Sequence, residues 1–223
     1  MRYKTVAFVP VKLNNQRLPG KNTKSFEGGS PLISYILNTL TQVRGLDAAY
    51  VYCSSEEIIP YLPKGIQFLK RDERLDLQST PILEVIRSFC TDVDAECYLM
   101  THATAPFLSA ATMEKGLRAV ASGEYDSAMT VRRLNEFVWL DGKPLYDNTH
   151  IPRTQDIGNL FAETTGMYIF PKELIMEQGR RTGDHPCLLE VDFAEACDIN
   201  EPFDFEIAQL VLDKYIKNGG RDE

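Results

Sequence analysis

The chain has 223 residues, 43% of them hydrophobic, and a formal net charge of −8 at pH 7. Such a length and composition permit a substantial core, and we expect one domain covering residues 1–223. The negative charge argues against a nucleic-acid partner, because binding a DNA or RNA backbone requires clustered Lys and Arg side chains. A small anionic ligand stays compatible with an acidic protein that carries local positive charge.

The cysteines and the N-terminal segment bear on the compartment. The five cysteines are odd in number, and none belongs to a C-x-x-C pair of the kind that binds zinc or performs dithiol chemistry. Free thiols are typical of a reducing cytosol. The first apolar run, Val6–Val11, is too short for a signal-peptide core or a membrane span. We therefore expect a cytoplasmic protein with no membrane partner.

Apolar runs of strand length alternate with amphipathic stretches of helix length as far as Val131, a pattern typical of βαβ units. The predicted strands are Thr5–Val11, Ala48–Cys53, Ile66–Leu69, Cys97–Thr101 and Ser127–Val131. The predicted helices are Leu32–Val43, Glu56–Leu62, Thr80–Cys90 and Ala110–Ala121, the last with Ser109 as N-cap. The sequence therefore predicts an α/β fold with a mainly parallel sheet.

The alternation stops after Val131. Two short arms, Phe137–Leu140 and Leu145–Tyr146, flank Asp141-Gly142 and predict a small antiparallel hairpin inserted near residues 135–150. The remaining predicted elements are a strand at Gly166–Phe170, a helix that begins at Pro171, a strand at Leu188–Val191 and a last helix at Pro202–Lys217 that ends at Asn218-Gly219-Gly220.

The loop after the first predicted strand is rich in groups that suit phosphate. In open α/β sheets, ligands bind beyond the carboxyl ends of the strands. Gly20 permits backbone conformations closed to other residues, and the loop has four cations: Lys12, Arg17, Lys21 and Lys24. Cations, amide donors and backbone N–H groups together suit a triphosphate. Neither the P-loop pattern nor G-x-G-x-x-G is present, and composition alone leaves an ordinary polar surface loop open.

The segment Arg17-Leu-Pro-Gly-Lys-Asn22 resembles the corresponding loop of the acylneuraminate cytidylyltransferases, the CMP-sialic acid synthetase family. That loop runs approximately A-R-x-x-S-K-x-L-P-x-K-N. Lys12 stands where the family usually has Arg and Gln16 where it usually has Lys, whereas Lys21 and Asn22 agree.

The resemblance implies a single-domain, three-layer, Rossmann-like nucleotidyltransferase fold. In the family the loop cations hold the phosphates of CTP, which implicates Lys12, Arg17 and Lys21 as catalytic cations and Asn22 as a nucleotide contact. The adjacent Arg17 offsets the charge that is lost at Gln16.

A second similarity concerns the base. The segment Leu69–Leu75 resembles the family's R-P-x-E-L stretch, which surrounds cytosine and ribose. Ser79-Thr80 resembles the Ser/Thr that opens the family's next helix. By these analogies Arg71, Ser79 and Thr80 are nucleotide-binding candidates. The alternatives are a surface charge for Arg71 and a helix cap for Ser79.

Two further segments resemble acceptor-binding parts of the family. Tyr98–Phe107 is similar to L-L-Q-P-T-S-P-L, with His102 at the glutamine position, which implies acceptor contacts by His102 and Thr104. A structural role for this histidine is an equal alternative, since its ring both donates and accepts hydrogen bonds.

Pro152-Arg-Thr-Gln-Asp-Ile157 resembles P-R-Q-x-L-P, and Thr164–Ile169 resembles the strand N-G-A-I-Y-I. Arg153 and Gln155 are therefore acceptor candidates. A guanidinium grips a carboxylate through two parallel hydrogen bonds, so Arg153 suits an acidic acceptor. A surface ion pair is its alternative.

Near the C-terminus, Asp198-Ile-Asn200 and Asp204 resemble the family's D-I-D-x-x-x-D, whose first two carboxylates bind magnesium. Alternate residues of an extended segment point to the same side, so Asp198 and Asn200 are the predicted Mg²⁺ ligands. Magnesium accepts neutral carbonyl oxygen as well as carboxylate. Service at the N-terminus of the last helix is the preferred interpretation for Asp204 and the alternative for Asp198.

The reaction implied by the resemblance is transfer of CMP from CTP to a hydroxyl of a sugar or sugar acid, with release of pyrophosphate. Such chemistry requires alignment and charge stabilisation, and the sequence offers no convincing general base.

The inserted hairpin, with Trp139, is the expected homodimer contact or a lid. Departures from the family at Lys12, Gln16, His102 and Asn200 keep two alternatives open. One is a nucleotidyltransferase for another base or a non-sialic acceptor, and the other is a catalytically weak nucleotide-sugar binding protein.

Overall fold

A computed structural model of the protein describes residues 3–216. The strands of this part of the chain are β1 (Tyr3–Val11), β2 (Ala48–Cys53), β3 (Ile66–Lys70), β4 (Ala95–Thr101), β5 (Ser127–Arg133), β6 (Trp139–Leu140), β7 (Lys143–Pro144), β8 (Phe161–Pro171) and β9 (Pro186–Glu190). Its α-helices are α1 (Leu32–Leu40), α2 (Ile82–Asp92), α3 (Ala110–Ala121), α4 (Lys172–Met176) and α5 (Pro202–Val211). Short 3₁₀ turns lie at Lys21–Thr23, Glu56–Tyr61, Glu73–Asp76 and Thr154–Asp156. None of these helices is long and apolar enough to cross a membrane.

Seven strands form one sheet in the order β3-β2-β1-β4-β8-β5-β9, and β6 pairs with β7 in a separate hairpin. Within the large sheet every pairing is parallel except those of β8, which runs antiparallel to both β4 and β5. The predicted α/β class, a mainly parallel sheet with a small antiparallel insertion, is confirmed. The strand order reverses between β1 and β4, where open α/β sheets bind their ligands.

Helices cover both faces of the sheet and make three layers. Ala7, Val9 and Val11 point to one face of β1 and pack with α1 and α3. Val6 and Phe8 point to the other face and pack with α2 and α4. Alternate residues of a strand face opposite sides, so burial of both faces explains the continuous apolar run in β1.

Two predicted helices are changed by proline. The prediction of an α-helix at Glu56–Leu62 is wrong, because the segment forms a 3₁₀ turn that contains Pro60, which has no N–H to donate. Helix α2 begins at Ile82 rather than Thr80, with Pro81 as its N-cap residue. Thr80 precedes a proline, and that position disfavours helical conformation.

The inserted hairpin turns at Asp141-Gly142, as predicted. Asp141 and Gly142 both have positive φ, 50° and 76°, as a two-residue type I′ turn requires. Such a turn makes the arms adjacent, so Trp139–Leu140 pairs with Lys143–Pro144, and the second arm begins two residues before the predicted Leu145–Tyr146. The Leu145 N–H donates to the Val138 carbonyl oxygen at 2.8 Å, so the predicted arm continues the hairpin.

Other boundaries shift by a few residues. Strand β8 begins at Phe161 rather than Gly166, because its polar first half pairs with β5 beyond a bulge between Met129 and Val131. The N-cap at Ser109 is confirmed, since its Oγ accepts the Thr112 N–H at 3.1 Å. The other shifts are an earlier end of α1 at Leu40, an earlier start of β4 at Ala95, β9 at Pro186–Glu190, and a π turn, Leu212–Ile216, after α5. The predicted helix end at Asn218-Gly219-Gly220 lies outside the described residues.

A third hydrophobic cluster holds the loop after β1 against α5. The ring of Phe26 stacks on that of Phe205, with centroids 4.6 Å apart. Leu18 and Ile199 belong to the same buried cluster. The cluster therefore fixes the cation-rich loop next to the segment that precedes α5.

Gly116 provides a test of the packing between α3 and the sheet. A Cβ at this position would lie 2.7 Å from Ile169 Cδ1 and 3.0 Å from Leu189 Cδ1. Gly116→Val should lower the free energy of unfolding by about 1–3 kcal/mol, because overpacking displaces core side chains. Urea unfolding measures this change. Ala121→Val, at an exposed position of the same helix, is the control, and an equal loss in both variants would contradict the prediction.

Candidate active site

The loop after β1 leaves the carboxyl edge of the sheet and turns at Gly20, whose φ of 69° is a left-handed conformation that suits glycine. Asn22 is only 5% exposed, and its Nδ2 donates to the Lys12 carbonyl oxygen at 3.0 Å. Asn22 therefore closes the loop on itself. Its contact with the nucleotide stays a prediction.

The three cations that the resemblance implicates line a single cavity of about 590 Å³, which we call the loop cavity. Its lining residues are Lys12, Asn15, Gln16, Arg17, Leu18, Lys21 and Gln78. The lining has cationic and amide side chains and no acidic one, so the loop cavity has the chemistry that a polyphosphate requires.

Lys21 is the most buried of these cations, at 7% exposure. Its Nζ donates to the Ile199 carbonyl oxygen at 2.8 Å. Burial lowers the pKa of Lys21, and the neighbouring Asp198 carboxylate opposes that change. Lys21 therefore joins the loop to the segment that holds the predicted metal ligands.

Arg17, Asn200, Asp198 and Thr165 form a hydrogen-bonded group that we call the Asp198 network. Arg17 Nη2 donates to Asn200 Oδ1 at 2.9 Å, and Asn200 Nδ2 donates to Asp198 Oδ2 at 2.7 Å. A guanidinium only donates and a carboxylate only accepts, so these partners fix the orientation of the Asn200 amide. The amide oxygen of Asn200 is thus engaged by Arg17.

The other carboxylate oxygen of Asp198 is the notable atom of the network. Asp198 Oδ1 is buried and has no hydrogen-bond partner among the described residues. A buried acceptor without a partner costs free energy, and a bound cation or donor would relieve that cost. The unpartnered oxygen therefore indicates that a ligand binds at Asp198.

Magnesium fits this oxygen in one particular way. In residues 3–216, no group of three or more His, Cys, Asp or Glu side chains is arranged to hold a metal ion. Magnesium is commonly held by one or two carboxylates together with substrate phosphates and water. A single carboxylate beside a cavity for phosphates fits that arrangement, whereas an all-protein metal cage does not.

Asp204 caps the N-terminus of α5, which is the role that the sequence analysis preferred for it. Its Oδ2 accepts the backbone N–H groups of Asn200 and Glu201, both at 2.8 Å. These bonds form part of a capping box at the N-terminus of α5.

Thr165 is a site residue that the sequence did not identify. Its hydroxyl has a single proton with two acceptors in reach, the Thr164 carbonyl oxygen at 2.7 Å and Asp198 Oδ2 at 3.1 Å. Its φ is +57°. A β-branched residue with positive φ is strained and commonly marks a functional position. The signal in the sequence is that the resembling strand, N-G-A-I-Y-I, has glycine at the position of Thr165, and glycine adopts positive φ without strain.

A second cavity, of about 180 Å³, adjoins the first at Lys12, and we call it the base cavity. Its lining residues are Pro10, Lys12, Arg71, Leu75, Leu77, Thr80, Ile82, Val85 and His102. The structure thus brings together a predicted phosphate-binding cation, two predicted base contacts and a predicted acceptor contact around a largely apolar space.

Arg71 and Ser79 have different surroundings. Arg71 is 5% exposed and its guanidinium pairs with the carboxylate of Asp76, so the surface-charge alternative is wrong. Ser79 is exposed and does not line the base cavity. The capping alternative for Ser79 is also wrong, since Pro81 is the N-cap residue of α2. Contact of Ser79 with a nucleotide stays a prediction.

His102 and Thr104 lie at the end of β4. Burial lowers the pKa of His102 to about 4, with Asp198 opposing the shift and Arg181 and Lys21 adding to it. The ring is therefore neutral at pH 7 and has one donor and one acceptor. Thr104 accepts the Ile199 N–H through its carbonyl oxygen at 2.9 Å.

Arg153 and Gln155 lie apart from these residues, at the 3₁₀ turn Thr154–Asp156, and both are exposed. Arg153 Nε donates to Asp156 Oδ2 at 2.7 Å. This pair is the surface ion pair that the sequence left open. Acceptor contacts by Arg153 and Gln155 stay predictions.

A third cavity, of about 360 Å³, lies next to Asp198, and we call it the outer cavity. Its lining residues are Arg132, Phe193, Ala196, Cys197, Asp198, Asp204 and Ile207. Arg132 was not identified from the sequence, because it is one of two consecutive arginines at the end of a strand and belongs to no motif.

Fold and site together define a nucleotide-binding α/β protein. Residues 6–170 match the family model described as Cytidylyltransferase, and the chain belongs to that family. The resemblance seen in the sequence is thereby confirmed.

Individual relatives differ in how much they share with the chain. The chain is 26% identical to N-acylneuraminate cytidylyltransferase A of Danio rerio, over 91% of this chain and 49% of the relative. It therefore spans about half the length of that protein. It is 19% identical to 3-deoxy-manno-octulosonate cytidylyltransferase 2 of Hydrogenovibrio crunogenus, over 82% of this chain and 70% of the relative. A solved CMP:2-keto-3-deoxy-manno-octonic acid synthetase complexed with CTP has a TM-score of 0.70 at 14% identity, covering 95% of this chain and 99% of that chain, which shows a shared fold.

The low pKa of His102 predicts a pH-dependent stability. The folded value of about 4 lies below the ordinary 6.5, so the unfolded chain binds an extra proton between these values. Above pH 6.5 His102 therefore does not reduce the free energy of unfolding. As the pH falls towards 4, protonation of His102 in the unfolded chain lowers the free energy of unfolding. His102→Gln should remove about 2 kcal/mol of the difference in unfolding free energy between pH 7 and pH 4.5.

Urea unfolding at the two pH values measures this difference. His150→Gln, at an exposed position, is the control. An unchanged pH dependence in His102→Gln would contradict the assignment of a neutral, desolvated ring.

Proposed function

We propose that the protein transfers CMP from CTP to a hydroxyl of a sugar or sugar acid and releases pyrophosphate. The observation that carries this proposal is the junction at Lys12, where a cation-lined cavity meets a small, largely apolar one. A nucleoside triphosphate has the same two parts, a polyphosphate and a base. Membership of the cytidylyltransferase family supports CTP as the nucleotide.

The base cavity would receive cytosine. Leu75 and Val85 offer apolar contact to the faces of the ring, and Thr80 offers a hydroxyl to its polar edge. Arg71 is fixed by Asp76, so its unused N–H groups are held in place before the base arrives. Such preorganisation lowers the entropic cost of binding.

The loop cavity would receive the triphosphate. The acceptor oxygen attacks the α-phosphorus, the bond from that phosphorus to the bridging oxygen breaks, and pyrophosphate leaves. Lys12, Arg17 and Lys21 would neutralise the negative charge that grows on the phosphate oxygens. His102 is a weak base with a pKa of about 4, so we assign it hydrogen bonding rather than removal of the hydroxyl proton.

Magnesium is the proposed cofactor, with Asp198 Oδ1 as its protein ligand. When bound, it supplies charge neutralisation at the phosphates and acidification of a neighbouring hydroxyl. Asn200 is a ligand only if its amide oxygen leaves Arg17. The Asp198 network therefore couples Arg17, a phosphate-binding cation, to the metal position.

The names of two relatives support a class of acceptor. Both N-acylneuraminate and 3-deoxy-manno-octulosonate, named in two of them, are sugar acids. We propose an acceptor of this class, with His102 and Thr104 nearest to the nucleotide and Arg153 and Gln155 further out. The catalytically weak binding protein is the outcome that a negative result would favour.

Pyrophosphate release provides the direct test. With Mg²⁺ and a panel of sugar acids, the purified protein should release pyrophosphate from CTP and not from ATP or GTP. Calorimetric titration with CTP in parallel separates the two candidate functions. Measurable CTP binding without release for any acceptor would favour the binding-protein alternative.

Asp198→Asn tests the metal ligand without changing side-chain volume. Turnover should fall by about 100-fold or more, because the charge that holds the cation is lost. The protein should stay folded, because the amide oxygen of the variant can accept the hydrogen bond that Asn200 Nδ2 donates to Asp198 Oδ2. Asp192→Asn, an exposed carboxylate of the same segment, is the matched control. Turnover at the wild-type level in Asp198→Asn would sink the assignment.

We further propose that the protein is a homodimer that pairs through the inserted hairpin. This region exposes an unusual number of large apolar side chains: Phe137, Trp139, Leu140, Leu145 and Ile151. An exposed apolar patch commonly marks an interface. Location in the cytoplasm stays a prediction.

Light scattering after size exclusion tests the dimer. The wild type should have twice the chain mass, and a variant with Trp139→Asp and Leu140→Asp should be monomeric. Phe203→Asp, an exposed aromatic of α5, is the control. A monomeric wild type would assign the hairpin another role, such as a lid.

A further inference from the structure

The outer cavity is not accounted for by the nucleotide. It shares Asp198 with the Asp198 network and is otherwise lined by residues of β5, of the segment before α5, and of α5 itself. An acceptor that reacts near Asp198 needs a space of its own beside the triphosphate. The outer cavity is such a space, of about 360 Å³.

Arg132 is the cation of this cavity, and it is available. Its ion pair with Glu136 is 3.5 Å long, and the side chains are 46% and 65% exposed. Exposed pairs of this kind contribute little free energy. The neighbouring Arg133 is fully engaged, with Glu190 and Asn159 as partners and the Phe161 ring beneath it.

The remaining walls define what else a ligand must have. Phe193 and Ile207 are apolar, and the Phe193 ring is largely exposed. Asp204 Oδ2 already serves the N-terminus of α5, whereas Asp198 Oδ1 is buried and unpartnered among the described residues. The cavity therefore suits a molecule with an anionic group, an apolar face and a hydroxyl.

We propose that Arg132 binds the carboxylate of the acceptor in the outer cavity, with the acceptor's reacting hydroxyl directed towards Asp198. This inference rests on the proposed function and assigns its acceptor end. Phe193 contacts the carbon face of the acceptor. Arg132, rather than Arg153, which lines none of the three cavities, is then the residue that selects sugar acids over neutral sugars.

Arg132→Met tests this assignment, because it keeps the length of the side chain and removes the charge. The probes are N-acetylneuraminate and 3-deoxy-manno-octulosonate, each beside its carboxamide. The wild type should prefer the acid by about tenfold or more in kcat/KM, as expected for a charge-assisted hydrogen-bonded pair. In Arg132→Met the KM for the acid should rise by about the same factor, and the preference for the acid should disappear.

Arg118→Met is the matched control, because Arg118 also pairs with a carboxylate four residues away, Glu114, at 3.6 Å. It lies on α3, outside the outer cavity. The affinity for CTP, measured by calorimetry, should be the same in the wild type and both variants. A changed CTP affinity in Arg132→Met, or a retained preference for the acid, would overturn the proposal.

Arg153→Met identifies the competing residue. Loss of acid preference in this variant, with retention in Arg132→Met, would assign the carboxylate to Arg153 and overturn the proposal.

A binding experiment separates this inference from the proposed function. The same acids and amides are added in the presence of CTP, and the rise in melting temperature reports their binding. Stabilisation by an acid that requires Arg132, without pyrophosphate release, would support the outer cavity and overturn the proposed transfer. No stabilisation by either acid, together with no release, would overturn both.

Discussion

The contact between the loop after β1 and the segment before α5 is the interaction on which the site depends. Lys21 Nζ bonds the Ile199 carbonyl oxygen at 2.8 Å in a buried position, and the stacked rings of Phe26 and Phe205 support it. A cation that is moved out of water needs such a partner. Because this contact joins two distant parts of the chain, the cations proposed to bind phosphate and the Asp198 carboxylate lie side by side before any ligand binds.

In that arrangement the negative charge of Asp198 changes the pKa values of its neighbours. Asp198 opposes the loss of the proton from Lys21 and also raises the pKa of His102, against the stronger effect of burial. Asn200 Nδ2 donates to Asp198 Oδ2 at 2.7 Å, and the Thr165 hydroxyl lies 3.1 Å from the same oxygen. The other oxygen, Oδ1, has no partner in the described part of the chain. The strained backbone of Thr165 is consistent with a side chain that is held for this purpose.

The sequence predicts those parts of the site that are carried by continuous segments. Strand β1 and its cationic loop are readable because both are local patterns: burial on two faces followed by Lys12, Arg17 and Lys21. Thr165 and Arg132 were missed because their positions depend on β8 running antiparallel between β4 and β5, a pairing of distant segments. The polar first half of β8 borders the site rather than the core, so it lacks the apolar alternation that predicts a strand.

The departures from the family pattern become related when they are considered together. Gln16 stands at a usual lysine, whose charge the adjacent Arg17 supplies, and Asn200 stands at a usual aspartate. Arg17, next to Gln16, donates to the Asn200 amide oxygen at 2.9 Å. Arg17 Nη1 also lies 3.4 Å from Glu201 Oε1, so Arg17 is held by two consecutive residues of the segment that precedes α5. Asn200 is then better explained as a partner of Arg17 than as a damaged metal ligand, which weakens the argument for a catalytically weak protein.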